Sequence, residues 1–479
     1  MCLRSSSCWR RSRAFSQPRE SPTKSLKIAG FLVLWYLFQS GSSGVGLVRV
    51  LVLAAGMGRR FGNSGRPKVL ERLLGLPLLE RVILTVREAG PSEFCVVVGH
   101  SNGEIINALG DGSRLGVRIT YVNNEDWEKG NAYSVLAAKE VLNGDRFLLV
   151  MGDHQFDPEI IRRLVEIRIS EGCVACVDRN LSSVFDVHEA TKVLLEDGKV
   201  RDVGKNLGEF NAVDCGIFLC TSDVFSAVQE CVARGQGELS HAIALLARQG
   251  KVRAMDVKGA FWFDVDTPGD LREAKRRILR ALSKKEDGIV SKSINRRIST
   301  RISARLAGSG ITPMQMSILS FLLGLLAVPF FSSGQYPFLF AGGMLIQLSS
   351  ILDGCDGELA RLKFRTTRRG GFLDSVLDRY ADAFMIISLA YGYWRIAGGE
   401  FVWLACLLAL SGSFAVSYTR ARYEGVFGTG IRPGGIPATR DVRIFLLAVG
   451  AFVNQPLPAL AVVGVMSNAE AIRRLIRWR

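Results

Sequence analysis

A chain of 479 residues exceeds one ordinary domain, so two or three are expected. Hydrophobic residues make up 48% and mean hydropathy is +0.20, which excludes a disordered or collagen-like chain, while 22% charged residues are too many for membrane spans alone. A soluble part and a membrane part in one chain satisfy both figures, and the net charge of +16 calls for nucleic acid, an anionic membrane face or phosphorylated substrates.

Residues 1–46 form a basic extension. Seven Lys or Arg and one acid, Glu20, fall within 1–45, and the apolar run 28–38 is too short to span a bilayer. The extension resembles a signal peptide, yet it reads better as disordered or as a start placed too early, since no Met lies between 1 and 57. Residues 47–275 alternate apolar runs with amphipathic stretches. Strands are predicted at 47–54, 93–98, 147–151, 174–177 and 216–219, and helices at 78–89, 132–142 and 158–169. That alternation argues for an α/β layered domain with a mostly parallel sheet. The only CxxC, Cys173 and Cys176, lies in an apolar run with no second pair or nearby His to complete a zinc set. It reads as buried strand, and such thiols suit a reducing cytoplasm. His100, His154, His188 and His241 form no triad pattern and read as structural.

Residues 276–310 are basic and helical in pattern, a linker plus an arm on a membrane surface. No charged residue occurs from Leu306 to Leu352, enough for two spans with a turn at 332–337. Further apolar stretches are 383–394, 401–419 and 444–469, the last broken by Pro456 and Pro458 into two short or tilted spans. The expectation is an all-α membrane domain, 311–479, of about six transmembrane helices. Segment 361–369 carries five Lys or Arg, 420–443 five and 473–479 four, against Arg395 alone in the intervening loops. This positive-inside pattern places both termini in the cytoplasm of a multi-pass cell-membrane protein. It also accounts for much of the net charge without nucleic acid, for which no motif is apparent.

The first strand runs directly into Leu53-Ala54-Ala55-Gly56-Met57-Gly58-Arg59-Arg60, with Pro67-Lys68 shortly after. Glycines here let backbone N–H groups approach a triphosphate, and Arg60 and Lys68 neutralise its charge. This LAAGxGxR…PK string resembles the sugar-phosphate nucleotidyltransferase family, which implies a Rossmann-like fold for 47–275. In that resemblance Ala54, Ala55, Gly56, Gly58 and Lys68 bind nucleotide. Asp153, ending the apolar run 147–151, and Asp264, in Phe263-Asp264-Val265-Asp266, bind Mg²⁺ (or Mn²⁺), with Asp266 as a possible substitute. Lys205 holds the acceptor phosphate, and Gly130-Asn131-Ala132 faces the base or ribose. Asn206, Glu209 and Asp214 are left unranked, since a solvated loop would carry the same residues. Two anions meet in such a reaction, so its barrier is partly electrostatic, and the metal with Arg60 and Lys68 offsets the repulsion.

The second constellation is Asp353-Gly354-Cys355-Asp356-Gly357-Glu358-Leu359-Ala360-Arg361, followed by Gly370, Asp374 and Asp378. Spacings of three and four put each Asp pair on one helix face. Four carboxylates at the end of apolar spans repel one another, and one or two dications are the economical explanation. The complete DxxDGxxAR-x8-GxxxDxxxD string resembles the CDP-alcohol phosphotransferase family. The resemblance implies that Asp353, Asp356 and Asp374 ligate metal, and that Asp378 shares the metal site and takes the proton from the attacking hydroxyl. Gly357, Ala360, Arg361 and Gly370 receive the cytidine diphosphate, and Arg420, Arg422, Arg440 and Arg443 are candidates for an acceptor phosphate.

Together the halves, over about 47–475, resemble the family of bifunctional inositol-1-phosphate cytidylyltransferases and di-myo-inositol phosphate phosphate synthases. That resemblance implies CTP, inositol 1-phosphate and CDP-inositol as partners, membrane lipid around the helices, and a homodimer through the membrane domain. A lipid or other polyol acceptor stays open, as does a sensor with a dead transferase, against which the unbroken metal motifs argue.

Overall fold

The computed structural model describes residues 48–61, 66–142, 144, 146–282, 288–428 and 435–476; the extension 1–46 lies outside the described residues. β1 (Arg49–Leu53) is followed by a ribbon of β2 (Arg72–Leu73) and β3 (Leu76–Pro77), then α1 (Leu78–Glu88), β4 (Glu93–Val98), α2 (Asn102–Leu109) and β5 (Arg118–Asn123). Next come α3 (Asn131–Ala137), α4 (Lys139–Leu142), β6 (Phe147–Met151), β7 (His154–Phe156), α5 (Pro158–Val165) and β8 (Cys173–Asp178). β9 (Lys192–Glu196), β10 (Lys199–Gly204), β11 (Ala212–Cys220), α6 (Asp223–Ala233), α7 (Leu239–Arg248), β12 (Val252–Asp256), β13 (Trp262–Asp264) and α8 (Pro268–Ala281) complete this half.

Nine strands form one sheet in the order β5-β4-β1-β6-β11-β8-β12-β10-β9. β1 pairs in parallel with β4 and β6, so its apolar run RVLVL is covered on both faces. Alternation along β1 sends Leu51 and Leu53 into one core, with Phe147, Phe218 and Phe225, and Val50 and Val52 into the other, with Ile83, Leu148 and Ile160. The sheet is mixed rather than mostly parallel: β11 lies antiparallel between β6 and β8, and β9 and β10 form a hairpin. The hairpin turn is Asp197-Gly198, both at positive φ (51° and 75°), a two-residue reversal that forces antiparallel pairing. Cys173 and Cys176 are buried in β8, as their apolar context predicts. The predicted helix 132–142 is divided between α3 and α4, and that at 158–169 ends at Val165. α8 runs on past residue 275 to Ala281.

The second half is helical. α9 (Arg296–Leu306) docks through polar contacts: Glu358, fully buried, accepts from Arg296 at 2.6 Å and from Ser299 at 2.7 Å. α10 (Pro313–Ser333) starts at a Thr312–Gln315 capping box with Pro313 at its first position. α11 (Tyr336–Leu362), α12 (Arg368–Ala397), α13 (Phe401–Phe427), α14 (Arg440–Phe452) and α15 (Pro456–Ile476) follow. The breaks after Ser333 and before Pro456 fall where the sequence predicts them. Three of these helices, α10, α11 and α13, are long and apolar enough to cross a membrane. α12 carries its aspartates on its first turns, and α14 is short, with 13 residues. Leu322, Phe338, Met344, Leu404 and Leu407 face outward exposed while Ala327, Phe331, Ile346, Leu389 and Leu447 pack inside. Apolar residues thus lie on both sides, as a lipid-facing bundle requires.

Small residues let these helices close together. A Cβ on Gly392 of α12 would stand 1.9 Å from the carbonyl of Phe331 on α10. Gly392→Ala is expected to force the two helices apart at a cost of about 1–3 kcal/mol. A thermal-unfolding curve in detergent checks this, and should show a lowered midpoint.

Candidate active sites

Glycine conformation and strand ends build the first site. β1 and β6 are adjacent and parallel, so Ala54–Arg60 and Gly152-Asp153 emerge side by side at their carboxyl ends, the usual place for ligands in such sheets. Ala54 N–H donates to Val97 at 2.9 Å and Ala55 accepts from His100 N–H at 3.1 Å, which pins the start of the loop. Gly56 has open space where a Cβ would stand. Gly58 has φ +67°, and a Cβ there would meet the Cβ of Lys68 at 2.4 Å. Gly56 therefore leaves room for a ligand, and Gly58 leaves room for the lysine.

Lys68 is buried, with Nζ 2.7 Å from Asp153 and also bonded to Asp266. Burial disfavours its charge, but Asp153, Asp264 and Asp266 outweigh burial and hold the ammonium pKa above its ordinary value. Arg60 lies 3.2 Å from both Asp266 and Glu189. His154 donates from Nδ1 to the Cys215 carbonyl at 2.9 Å and presents Nε2 to Asp264 at 3.3 Å and to Asp153 at 3.9 Å. Burial opposes its protonation, yet Asp264 and then Asp153 raise its pKa to about 10. Asp264 Oδ1 is nevertheless buried without an aligned hydrogen bond. Ligand atoms of Asp153, His154 and Asp264 lie within 4.8 Å of one another, a set that could hold a metal ion.

A cleft of about 1140 Å³ opens beside these groups, lined by Arg60, Asp153, His154, Lys205, Asp214 and Asp264 among others. A smaller hollow of about 330 Å³ lies on the loop, between Gly56, Gly58, Arg60, Lys68, Asp153 and Lys205. Lys205 lines both. Gly130 is pressed on Gly237, whose carbonyl would lie 2.3 Å from a Cβ, and its neighbour Asn131 lines the cleft. Asp214 lies half-buried in β11 rather than in a loop, and desolvation raises its pKa to about 6 against the Gly216 N–H bond.

The second site joins two facing helices. Asp353 and Asp356 stand near the end of α11, Asp374 and Asp378 near the start of α12. Carboxylate oxygens of Asp353, Asp374 and Asp378 lie within 4.8 Å of one another. Asp356 accepts from Ser317 and from Gly357 N–H and faces Asp374. A Cβ on Gly357 would lie 3.3 Å from the Arg361 guanidinium, so this glycine keeps a place for that arginine; Ala360 is half-buried on the next turn. Gly370 N–H donates at 3.0 Å to the hydroxyl of Thr367, which caps α12. Arg420 on α13 donates to Glu424, one turn along its own helix.

Arg440 enters among the carboxylates from α14. It lies 3.0 Å from Asp353, 2.9 Å from Asp378 and 3.1 Å from Asp382, and Asp382 also receives Arg443 at 3.4 Å. Arg379 also reaches Asp378 at 3.4 Å, and two arginines against four motif aspartates still leave an excess of negative charge. Oxygen donors of that kind suit a hard dication such as Mg²⁺ or Mn²⁺. The motif residues are thus assembled as the spacing predicts. His154, Asp382 and the bridging position of Arg440 were not legible, although an Asp at every fourth position from 374 to 382 was a visible signal of one continuous helix face.

Comparisons with known proteins agree with this division. Residues 50–185 match the family model described as MobA-like NTP transferase domain, and residues 310–467 match CDP-alcohol phosphatidyltransferase. The chain is 44% identical to the bifunctional IPC transferase and DIPP synthase of Rubrobacter xylanophilus, covering 91% of this chain and 97% of that one. It is 37% identical to the protein so named in Archaeoglobus fulgidus, over 84% of this chain and 78% of that one. Among solved structures, the inositol-1-phosphate CTP transferase from T. maritima is 27% identical over 48% of this chain and 95% of that one, with a TM-score of 0.44.

Asp382 is the acid shared by two arginines, and Arg443 is only 3% exposed. Asp382→Asn is expected to cost about 3–5 kcal/mol by leaving a buried guanidinium without its acid. Thermal unfolding measures this, with Asp382→Glu as the charge-preserving comparison.

Proposed function

We infer the reactions from the family to which the chain belongs, the bifunctional IPC transferases and DIPP synthases. The chain is a bifunctional transferase. Its first half makes CDP-inositol and pyrophosphate from CTP and inositol 1-phosphate. Its second half passes the inositol phosphate group to a second inositol 1-phosphate, giving di-myo-inositol phosphate phosphate and CMP. The observation that carries this reading is the meeting of Asp353, Asp374 and Asp378 on two facing helices, with Asp356 on the same helix as Asp353, in a chain whose other half ends its central strand in a glycine-rich loop.

In the first site the backbone at Ala54, Ala55, Gly56 and Gly58 cradles the triphosphate, with Arg60 and Lys68 on its charge. Lys205, which lines both the loop hollow and the wide cleft, holds the phosphate of inositol 1-phosphate, and the segment at Gly130 borders the nucleoside. Asp153 and Asp264 hold Mg²⁺ (or Mn²⁺). An oxygen of the inositol phosphate attacks the α-phosphorus, the bond to pyrophosphate breaks, and Arg60 and Lys68 stabilise the leaving charge. No protein nucleophile is required.

In the second site Asp353, Asp356, Asp374 and Asp378 form the metal-binding set. A bound dication there neutralises the phosphate oxygens of CDP-inositol. Gly357, Ala360, Arg361 and Gly370 border the cytidine diphosphate. Asp378 takes the proton from the acceptor hydroxyl as that oxygen bonds to the β-phosphorus and CMP leaves. Arg420 and Arg440 receive the phosphate of the acceptor. Six spans, both sites on the cytoplasmic side, lipid against the exposed apolar faces and a homodimer through the membrane helices complete the proposal. Its supports are the basic segments at 361–369 and 420–443 and the exposed row of Lys292, just before α9, and Arg297, Arg301 and Arg305 along it. Residues 47–275 form the cytidylyltransferase domain, 276–310 the linker and interfacial helix, and 311–479 the membrane transferase domain.

Separate sites have separable losses. Asp153→Ala should abolish CDP-inositol formation by at least about a hundredfold and leave the second step intact when CDP-inositol is supplied. Asp374→Ala should do the reverse. Product analysis with labelled CTP and with supplied CDP-inositol distinguishes them; loss of both steps in either folded variant overturns the two-site assignment. The same assay with a lipid alcohol in place of inositol 1-phosphate tests the acceptor.

A further inference from the structure

Two arginines cross between the halves of the chain in opposite directions. Arg81, on α1 of the cytidylyltransferase half, donates to the carbonyl of Leu362 at 3.1 Å. Arg361, on α11 of the membrane half, donates to the carbonyl of Leu282 at 3.2 Å. Leu362 is the last residue of α11 and Leu282 the residue that ends α8. Each cation therefore meets the carbonyl end of a helix from the other half, where unsatisfied C=O groups carry partial negative charge.

Arg81 is unusual in its setting. It is 5% exposed, and burial by itself lowers its pKa to about 10, with no acid offsetting it. Its Nε is buried without a hydrogen-bond partner. Its guanidinium lies 5.2 Å from the ring centre of Phe364, which sits at φ +52° just past α11. An apolar cluster of Leu73, Leu78, Leu282, Ala307 and Leu362 seals the seam around it. Burying a cation without a carboxylate is costly, and a hydrophobic side chain would close the same seam without that cost. What Arg81 does and an apolar residue could not is fasten the last turn of α11, which carries Arg361 next to Leu362.

We propose that Arg81 is a positioning residue for the phosphotransfer step: it holds the turn at Leu362 and Phe364 so that Arg361 is aimed at the cytidine diphosphate, and the cytidylyltransferase half thereby completes the nucleotide site of the membrane half. This rests on the reading above that Arg361 contacts that group. It requires nothing of the first reaction, in which Arg81 takes no part.

The test uses the full chain in detergent, with each step assayed alone. Arg81→Met should raise KM for supplied CDP-inositol roughly tenfold, leave kcat and KM for inositol 1-phosphate within about twofold, and leave CDP-inositol synthesis within about twofold. Arg81→Lys, which still donates a hydrogen bond, should recover part of the loss. Phe364→Leu should shift the same KM in the same direction by a smaller factor. An unchanged KM in Arg81→Met overturns the proposal. So does an equal fall of both activities that Arg81→Lys does not rescue, since that describes a docking contact alone. Arg361→Met is run beside them: a raised KM for supplied CDP-inositol in that variant upholds the reading of Arg361, so that a failure at Arg81 counts against this inference alone. An unchanged KM in Arg361→Met overturns that reading itself.

Discussion

Carboxylates brought together where water is scarce repel one another, and both halves of this protein are arranged around that repulsion. In the first half Lys68 stands among Asp153, Asp264 and Asp266; in the second Arg440 stands among Asp353, Asp378 and Asp382. Each cation comes from an element other than those bearing the acids. Each offsets part of the charge on the acids around it. Both reactions move phosphorus between anions, so one electrostatic arrangement serves two unrelated folds.

The scaffolds meet that demand by different means. A parallel core of β4, β1 and β6 places two loop starts side by side, and the apolar strands behind them leave little room for the loops to shift. The helical half relies on close approach: glycines at 342 and 392 admit Phe331 of α10, so α11 and α12 can face each other with their aspartates aligned. The Arg296–Ser299–Glu358 contacts add a polar brace from α9, on the turn between the motif aspartates and Arg361. A fully buried carboxylate in that position is tolerated because its charge is met at hydrogen-bonding distance.

The seam between the halves gives the fusion a physical meaning. α8 begins at the Thr267–Asp270 capping box, directly after Asp264 and Asp266, and ends at Leu282, the acceptor of Arg361. A single helix thus spans from one acidic site to the arginine of the other motif. The shared cluster of Leu73, Leu78, Leu282, Ala307 and Leu362 makes the two halves one packed body at that point rather than two domains on a loose tether.

Much of this was legible in the residue order. The glycine loop, the paired aspartates and the apolar stretches are local patterns, and their chemistry follows from spacing on a strand end or a helix face. What the order of residues could not provide was who stands opposite whom. His154 read as structural because its partners, Asp264 and Cys215, are distant in the chain; Asp214 could pass for a loop residue because the register that places it in β11 is set by pairing with β8. Arg440 read as one of several basic residues near a membrane face until the packing of α14 set it between two motif aspartates. The antiparallel entry of β11 and the reciprocal arginines at the seam belong to the same class. Local sequence determines which groups are available, whereas long-range packing decides which charges meet, because that depends on neighbours supplied by other elements.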